Sequence, residues 1–109
     1  MRKYGIEVPK KGIFIIMLIS KWCKSCKLLS TILEQFRDDG RIELKELDIL
    51  ENGNLAKEFN IHAIPALIFF KDGTLLDEDI IMYGESIIKK GILIGSFNEI
   101  ILKEIMSQI

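Results

Sequence analysis

Two continuous apolar runs divide the chain and predict two buried strands. The first extends from Phe14 to Ile19 and the second from Ala66 to Phe70. Uninterrupted apolar runs of this length are typical of strands that are covered on both faces of a sheet. Between them lies a helical spacing of apolar residues, which Gly40 is expected to end. The predicted apolar face of this helix consists of Leu28, Leu29, Ile32, Leu33 and Phe36.

Weaker patterns predict a further strand and a short helix between the two runs. The segment from Ile42 to Ile49 alternates between apolar and polar residues, although the alternation slips at Lys45-Glu46. A strand still fits this segment best. Leu55 to Phe59 is predicted to be a short helix, with Asn52 or Asn54 as its cap.

The last third of the chain allows two interpretations. Lys71-Asp72-Gly73 is a turn signal, and Thr74 to Gly95 forms either a long hairpin or two strands with an insertion between them. Ser96 is then expected to cap a final helix, since Glu99 three residues later completes a capping box. The apolar residues of that helix are Phe97, Ile100, Ile101 and Ile105.

The predicted order is strand, helix, strand, helix, strand, strand, helix. Strand–helix–strand units favour parallel pairing, whereas a closing hairpin is antiparallel. We therefore predict an α/β fold, with a mixed sheet and helices on both of its faces. A chain of 109 residues, of which 49% are hydrophobic, can bury one core, so residues 1–109 are expected to be a single domain.

Charge and composition exclude several classes of partner. The formal net charge is −1, which disfavours nucleic acid and anionic membranes because both favour a basic excess. The apolar run that begins at Gly12 follows basic residues, as in a signal peptide, but it is too short to span a bilayer. Ser20-Lys21-Trp22 after it does not form a small-residue cleavage site. We therefore predict a cytoplasmic protein, and a monomer is the expected oligomeric state.

Cys23 and Cys26 are the candidate reactive residues. A disulfide that closes so short a loop removes little entropy from the unfolded chain, so reactivity explains the pair better than stapling. The pair lies where a buried strand gives way to a helix, and a helix N-terminus stabilises a thiolate. Cys23 at the helix start would attack a substrate disulfide. Cys26, one turn further on and more buried, would resolve the mixed disulfide.

A proline directly before the second apolar run is the other unusual feature. Proline cannot donate a hydrogen bond to a sheet, so Pro65 fits best as the first residue of a strand. The Ile64–Pro65 bond is either cis or an ordinary trans bond in a loop.

Together these residues resemble the thioredoxin family over roughly residues 12–109. The matching features are Trp22-Cys23-x-x-Cys26-Lys27 after a buried strand, Asp48, Ile64-Pro65, Lys71-Asp72-Gly73 and Gly95. The resemblance implies a thioredoxin fold with a sheet of four to five strands, and disulfide exchange with no cofactor beyond the cysteine pair. It also implies protein disulfide substrates and a separate reductase, because the chain has no G-x-G-x-x-G fingerprint for a nucleotide cofactor.

The resemblance assigns roles to the residues around the cysteines. It implies a cis Ile64–Pro65 bond against the disulfide and an Ile64 backbone that pairs with extended substrate segments. Trp22 and Gly95 would then line the docking groove. Lys24-Ser25 stands where typical thioredoxins have Gly-Pro, and these two positions tune the redox potential. A neighbouring cation favours the thiolate, which makes the disulfide more oxidising.

Three further departures from the family bear on the mechanism. The N-terminus has room for one short strand at most, and the segment 74–90 is longer than the usual hairpin. Met17 stands where the family has a buried Asp that moves a proton to and from the resolving thiol. The lysine that usually faces that Asp is Glu46 here. We hypothesise that Glu46 takes over the shuttle as a buried carboxylate with a raised pKa; otherwise it points to solvent.

Two alternatives belong to other functional classes. Cys23 and Cys26 could supply two thiolates to a zinc site, with His62 or a second chain completing it, although no further metal ligand is apparent. The domain could also be a binding module with inactive cysteines. Within the leading interpretation, an oxidant or isomerase remains the alternative to a thioredoxin-like reductant.

Overall fold

A computed structural model describes residues 4–95 and 97–109 of the chain. The elements in this part are, in order, β1 (Ile13–Ile19), α1 (Lys24–Asp38), β2 (Glu43–Asp48), α2 (Gly53–Glu58), β3 (Ala66–Lys71), β4 (Thr74–Leu75), β5 (Ile80–Met82), β6 (Glu85–Ile88), β7 (Ile92–Ile94) and α3 (Glu99–Gln108). The predicted succession of strands and helices is therefore confirmed as far as β3, and the segment after β3 is more elaborate.

The two continuous apolar runs form the central strands of a mixed, five-stranded sheet. β1 pairs in parallel with β2 and antiparallel with β3. The other edge of β3 pairs antiparallel with both β4 and β7. Because β1 and β3 have neighbours on both sides and helices above and below, their side chains are almost all buried, as the runs predicted.

Helices cover both faces of this sheet, as predicted. α1 and α3 pack on the face that carries Ile15 and Met17 of β1. α2 packs on the opposite face, against Ile16 and Leu18. The segment before β1 adds to this second face through buried Ile6. The segment from Tyr4 to Val8 thus contributes apolar contacts to the core.

Residues 76–91, called the insertion below, interrupt the edge strand beside β3. The main chain of Phe69 bridges the interruption, because its carbonyl accepts from Leu76 N–H and its N–H donates to the carbonyl of Gly91. β5 and β6 within the insertion pair with each other as a separate two-stranded sheet. The second interpretation of this region, two strands with an insertion between them, is therefore correct.

One side of the insertion is part of the protein core. Ile80, Met82 and Ile88 are buried in the same cluster as the inner faces of α1 and α3. Ile81 and Tyr83, near the hairpin turn, are exposed instead. The insertion is consequently anchored along one face and open to solvent along the other.

Two residues assigned to apolar helix faces are exposed. Leu28 is 69% exposed, whereas Leu29 next to it is fully buried. Ile100 of α3 is 74% exposed, and Leu102 and Ile105 carry the contact with the core. Consecutive residues on a helix point about 100° apart, so Leu28 points away from the sheet when Leu29 points directly at it.

The end of α1 confirms the predicted signal, and the start of α3 corrects one. Gly40 ends α1 in a left-handed conformation, and the N–H groups of Gly40 and Arg41 bond back to the carbonyls of Arg37 and Phe36. α3 begins later than predicted and is capped by Asn98, whose Oδ1 accepts from Ile101 N–H at 2.9 Å. Ser96, the predicted cap, lies outside the described residues.

The cap position of α2 is one of the two predicted, but its hydrogen bonding differs from that of a side-chain cap. Asn52 occupies the N-cap position, but its side chain makes no capping hydrogen bond. Its Nδ2 donates to the carbonyl of Asp48 at 2.8 Å and so closes the turn after β2.

Candidate active site

Four chain segments converge at one end of the sheet. Ile19 at the end of β1 pairs with Asp48 at the end of β2, and Leu18 pairs with Ala66 at the start of β3. Ala66 also pairs with Ile94 at the end of β7. The loops that carry the cysteines, the proline and Gly95 therefore meet at the same end.

Cys23 and Cys26 occupy the start of α1 in the arrangement that the sequence predicts. They form a disulfide, with Cα atoms 5.2 Å apart. Cys23 is the N-cap residue, and its Sγ accepts a hydrogen bond from the Cys26 N–H at 3.1 Å. Cys23 is half-buried, whereas Cys26 is 2% exposed. A substrate sulfur can therefore reach Cys23 more readily than Cys26.

The surroundings of the Cys23 sulfur favour negative charge. The first turn of α1 contains no acidic residue, and the unpaired N–H groups of a helix start carry partial positive charge. Ser25 Oγ lies 3.4 Å from Cys23 Sγ, within hydrogen-bonding distance. Lys24 is exposed beside it. All three features would stabilise a Cys23 thiolate in the reduced protein.

The Ile64–Pro65 peptide bond is cis, as the resemblance implies. Pro65 is buried, and its carbonyl accepts from Gly95 N–H at 2.8 Å, which fixes the loop after β7 beside it. Ile64 is half-buried and packs against the core on both faces of the sheet. Within residues 4–95 and 97–109, neither its N–H nor its C=O bonds to the main chain of another residue.

Trp22, the predicted docking residue before Cys23, is exposed to solvent. Its side chain is 87% exposed directly before Cys23. An exposed indole of this size offers a flat apolar surface with one N–H donor, which suits contact with a partner protein.

The structure corrects the expected surroundings of Glu46. Glu46 pairs in register with Met17, but it is exposed, so the expectation of a buried carboxylate is wrong. Its side chain nevertheless turns toward α1, where its Oε1 accepts a hydrogen bond from Ser30 Oγ. Ser30 Oγ also lies 3.2 Å from Glu34 Oε2. Glu34, Ser30 and Glu46 are called the carboxylate cluster below.

The carboxylate cluster and Cys26 line one open cavity of about 410 Å³. Ser30 and Glu34 were absent from the predicted site. Their spacing could have revealed them, because residues four apart lie on one side of a helix and Cys26, Ser30 and Glu34 follow that spacing along α1.

The described residues contain no preassembled metal site. In residues 4–95 and 97–109, no group of three or more His, Cys, Asp or Glu side chains is placed to hold a metal ion. His62 is exposed and contacts Asn60 Oδ1 through Nε2 at 2.8 Å. No helix in the same ranges is both long and apolar enough to cross a membrane.

Comparison with known proteins gives one consistent result. The family model described as Thioredoxin matches residues 2–92. A thioredoxin of Staphylococcus haemolyticus is 34% identical over 74 residues, which are 66% of this chain and 71% of that protein. One of Staphylococcus saprophyticus is 34% identical over 71 residues, or 63% and 68% of the two chains.

Solved structures show the same fold. A thioredoxin mutant from Halobacterium salinarum aligns with a TM-score of 0.69 at 19% identity, over 90% of this chain and 74% of that one. Mitochondrial thioredoxin 3 from Saccharomyces cerevisiae, in its oxidised form, aligns with a TM-score of 0.66 at 22% identity, over 92% and 81%. At these identities the alignments establish the fold alone.

Proposed function

The chain belongs to the thioredoxin family and is a thiol–disulfide oxidoreductase, and on this premise we propose that it reduces disulfides of other proteins. Cys23 is the attacking thiolate and Cys26 the resolving thiol. The observation that carries this assignment is the difference between the two sulfurs. Cys23 is accessible and accepts a hydrogen bond from the helix N-terminus, whereas Cys26 is buried behind it.

The reaction transfers two electrons in two exchanges. The Cys23 thiolate attacks one sulfur of the substrate disulfide, and the other sulfur leaves as a thiolate and takes a proton. The Cys26 thiol then loses its proton and attacks Cys23 Sγ. This step forms the Cys23–Cys26 disulfide and releases the second substrate thiolate. A separate dithiol reductase must then reduce the Cys23–Cys26 disulfide. Within this chain, the proposal requires no redox group other than the two cysteines.

The substrate docks across the cis proline. The main-chain groups of Ile64, which make no main-chain bond within the described part of the chain, support this role, because an extended segment can pair with them as an added strand. Pro65 and Gly95 hold the two sides of the docking site together through their hydrogen bond. Exposed Trp22 supplies an apolar contact next to Cys23.

Glu46 receives the proton that Cys26 releases. Cys26 is buried, so its thiol needs a base within reach before it can attack. The carboxylate cluster lines the same open cavity as Cys26, and solvent in that cavity can carry the proton between them. The hydrogen bond from Ser30 Oγ holds the Glu46 carboxylate on the α1 side, where this cavity lies.

The test of Glu46 is Glu46→Gln, with Glu43→Gln as the matched control on the same strand. The amide keeps the shape of the side chain but cannot accept a proton. We expect resolution of a preformed mixed disulfide to slow about tenfold at neutral pH and to recover at higher pH. Glu43→Gln should leave the rate and its pH dependence unchanged. An unchanged pH profile in Glu46→Gln would exclude the role.

Lys24 and Ser25 tune the redox potential through the Cys23 thiolate. Lys24 is exposed, so its influence is screened by solvent, and Ser25 acts at close range. For a reductant, we expect a Cys23–Cys26 potential near or below about −250 mV. A potential above about −200 mV would assign the chain to the oxidants or isomerases instead.

We also propose that the protein works as a monomer in the cytoplasm. The apolar run that resembles a signal peptide forms β1, the central strand, so its removal would take away the middle of the sheet. The outer edge of β2 carries Glu43, Lys45 and Asp48, and charges on an open edge oppose strand pairing between copies. Sedimentation of the purified protein and its location in fractionated cells test these two statements.

The decisive experiment traps the first exchange. Cys26→Ser should accumulate a stable mixed disulfide with a protein substrate such as reducible insulin, because its second step is blocked. Cys23→Ser should form none. If Cys23→Ser instead forms the adduct, the two roles are reversed. If neither variant forms one while both fold normally, the protein is not a dithiol reductase.

A further inference from the structure

A second groove begins beside the substrate-docking proline and extends along the insertion. Ile94 pairs with Ala66, the residue that follows Pro65, and the next residue of the edge strand, Gly95, bonds to Pro65 itself. From Ile94 the groove continues past Ile92 and has a volume of about 700 Å³. It therefore starts within one or two residues of the place where a substrate is expected to dock.

The groove has an apolar floor. Ile92 and Ile94 point to the α2 side of the edge strand, and half-buried Phe59 follows α2 on the same side. Ile94 is 43% exposed, so part of this floor faces solvent. Surfaces of this kind bind an apolar side chain of a partner by removing it from water.

The rim of the groove is basic. Lys89 and Lys90 are exposed along it, and neither ammonium group forms an ion pair with another residue of the described ranges. Asp79 also lies on the rim, but its Oδ1 accepts a hydrogen bond from Lys90 N–H at 2.8 Å. Three further acidic residues belong to the insertion. Asp77 and Glu78 line a separate hollow, and Glu85 is exposed but does not line the groove. The charge that faces the groove is therefore net positive.

We propose that this groove is a substrate subsite that selects proteins with an acidic residue next to an apolar residue near the reactive cysteine. This inference rests on the proposed function, because it deepens the description of the same docking site. An extended segment advances about 3.3 Å per residue, so a substrate paired with Ile64 would place side chains about two to four residues from its cysteine over the groove. The apolar side chain would lie on Ile92 and Ile94, and the carboxylate would face Lys89 and Lys90.

The insertion creates this subsite by its position. It leaves the edge strand at Leu76 and returns at Gly91, so the rim residues arrive directly before the strand that reaches Pro65. A hairpin that ran straight from β4 into β7 would place no residues there. The insertion thus adds selectivity to a site whose chemistry it does not touch.

The test compares activated cysteinyl peptides that differ only in charge. Each peptide carries its cysteine as a mixed disulfide with glutathione, with Leu-Glu-Glu or Leu-Lys-Lys either before or after it. In one of the two placements, we expect kcat/KM to be about fivefold higher for the acidic peptide, since two exposed ion pairs contribute about 0.5 kcal/mol each. The preference should appear in KM and disappear at high salt.

Two double variants locate the preference. Lys89→Glu with Lys90→Glu should abolish or invert it. Lys11→Glu with Lys45→Glu makes the same change of charge on exposed residues away from the groove and should retain it. Reduction of 2-hydroxyethyl disulfide, which is too small to reach the groove, should be the same in all proteins.

Each other outcome is decisive. An equal rate for acidic and basic peptides in both placements would overturn the subsite. So would an equal loss of preference in both double variants, because the selectivity would then arise from overall charge. A dimer that the Lys89/Lys90 variant dissociates would assign the groove to a second copy of the chain. If neither insulin nor 2-hydroxyethyl disulfide is reduced, the proposed function itself fails.

Discussion

The dithiol end of the sheet and the insertion are fixed in place by different means. Cys26 is held behind β1 and β3, which are paired on both sides and buried on both faces. The insertion is held at its two ends by Phe69 and along one face by Ile80, Met82 and Ile88, while its other face is in solvent. The first region can therefore maintain the positions of reacting atoms. The second can change its exposed residues with little effect on the fold.

This difference fits the proposal that one domain combines a shared reaction with its own selectivity. Exchange between sulfurs requires that the attacking and the attacked sulfur atoms are aligned, and the rigid end of the sheet holds the two cysteines in position. Selection of a partner requires only that suitable side chains lie beside the path of the substrate. An insertion in the edge strand meets that requirement, because the pairing of β3 continues on both sides of it.

The largest expected effect is on the rate of disulfide reduction, which should depend on the cysteines and not on the exposed face of the insertion. Cys23→Ser should lower the rate of disulfide reduction at least about a thousandfold, because the hydroxyl is a far weaker nucleophile. Ile81→Ala, at an exposed position of the insertion, should leave the rate with 2-hydroxyethyl disulfide unchanged. Steady-state rates with dithiothreitol as the electron donor measure both. Comparable losses would mean that the insertion takes part in the chemistry.

The next largest effect is on the free energy of unfolding, which should differ between substitutions on the buried and the exposed face of the insertion. Ile88 is fully buried, so Ile88→Ala should lower the free energy of unfolding by about 3 kcal/mol. Ile81→Ala, which truncates the same side chain on the exposed face, should change it by less than about 0.5 kcal/mol. Urea denaturation gives both values. A small effect of Ile88→Ala would show that the insertion is not anchored in the core.

A backbone test concerns the base of the insertion. Gly91 has a φ of +81°, and a Cβ on it would overlap the carbonyl oxygen of Leu76. Gly91→Ala should therefore destabilise the protein by about 2 to 3 kcal/mol, from the left-handed conformation and the overlap together. Gly84 in the hairpin turn has a similar φ of +77° but open space around it, so Gly84→Ala should cost only about 1 kcal/mol. Thermal unfolding of the two variants measures the difference, and equal costs would mean that the two ends of the insertion do not meet as described.

The smallest effect concerns α3, which packs behind both regions. Asn98→Ala removes the cap of this helix and should lower the free energy of unfolding by about 1 kcal/mol. Asn98→Asp keeps the acceptor and should restore most of the loss. Because Leu102 and Ile105 of α3 contact the cluster that contains both Cys26 and Ile88, hydrogen exchange should increase in both regions. An increase confined to one region would show that α3 supports only that one.

Local sequence patterns predicted the structure correctly wherever only one kind of element suits the residues present. The continuous runs Phe14–Ile19 and Ala66–Phe70 predicted the central strands, because only strands covered on both faces tolerate so few polar residues. Gly40 predicted the end of α1 because glycine adopts the left-handed conformation with little strain. The strand-to-helix boundary before Cys23 likewise predicted which cysteine would be accessible.

The same patterns could not decide between two residues, or two arrangements of strands, that fit the local sequence equally well. Leu28 and Leu29 are both apolar, and only the position of the sheet decides that Leu29 is the buried one. Ser96 and Asn98 are both good caps, and the described cap is Asn98 because α3 starts at Glu99. Thr74–Gly95 was consistent with one hairpin or an interrupted strand, because each offers the same local pairing.

The sequence by itself determined the central strands, the helix that begins at the cysteines and the exchange chemistry, because these depend on neighbouring residues along the chain. Only the tertiary structure decided that Glu46 is exposed yet bonded to Ser30 near Cys26, and that Lys89 and Lys90 line a groove beside Pro65. Both arrangements join residues from separate elements. Their geometry follows from strand register and from the path of the edge strand, which no local spacing encodes.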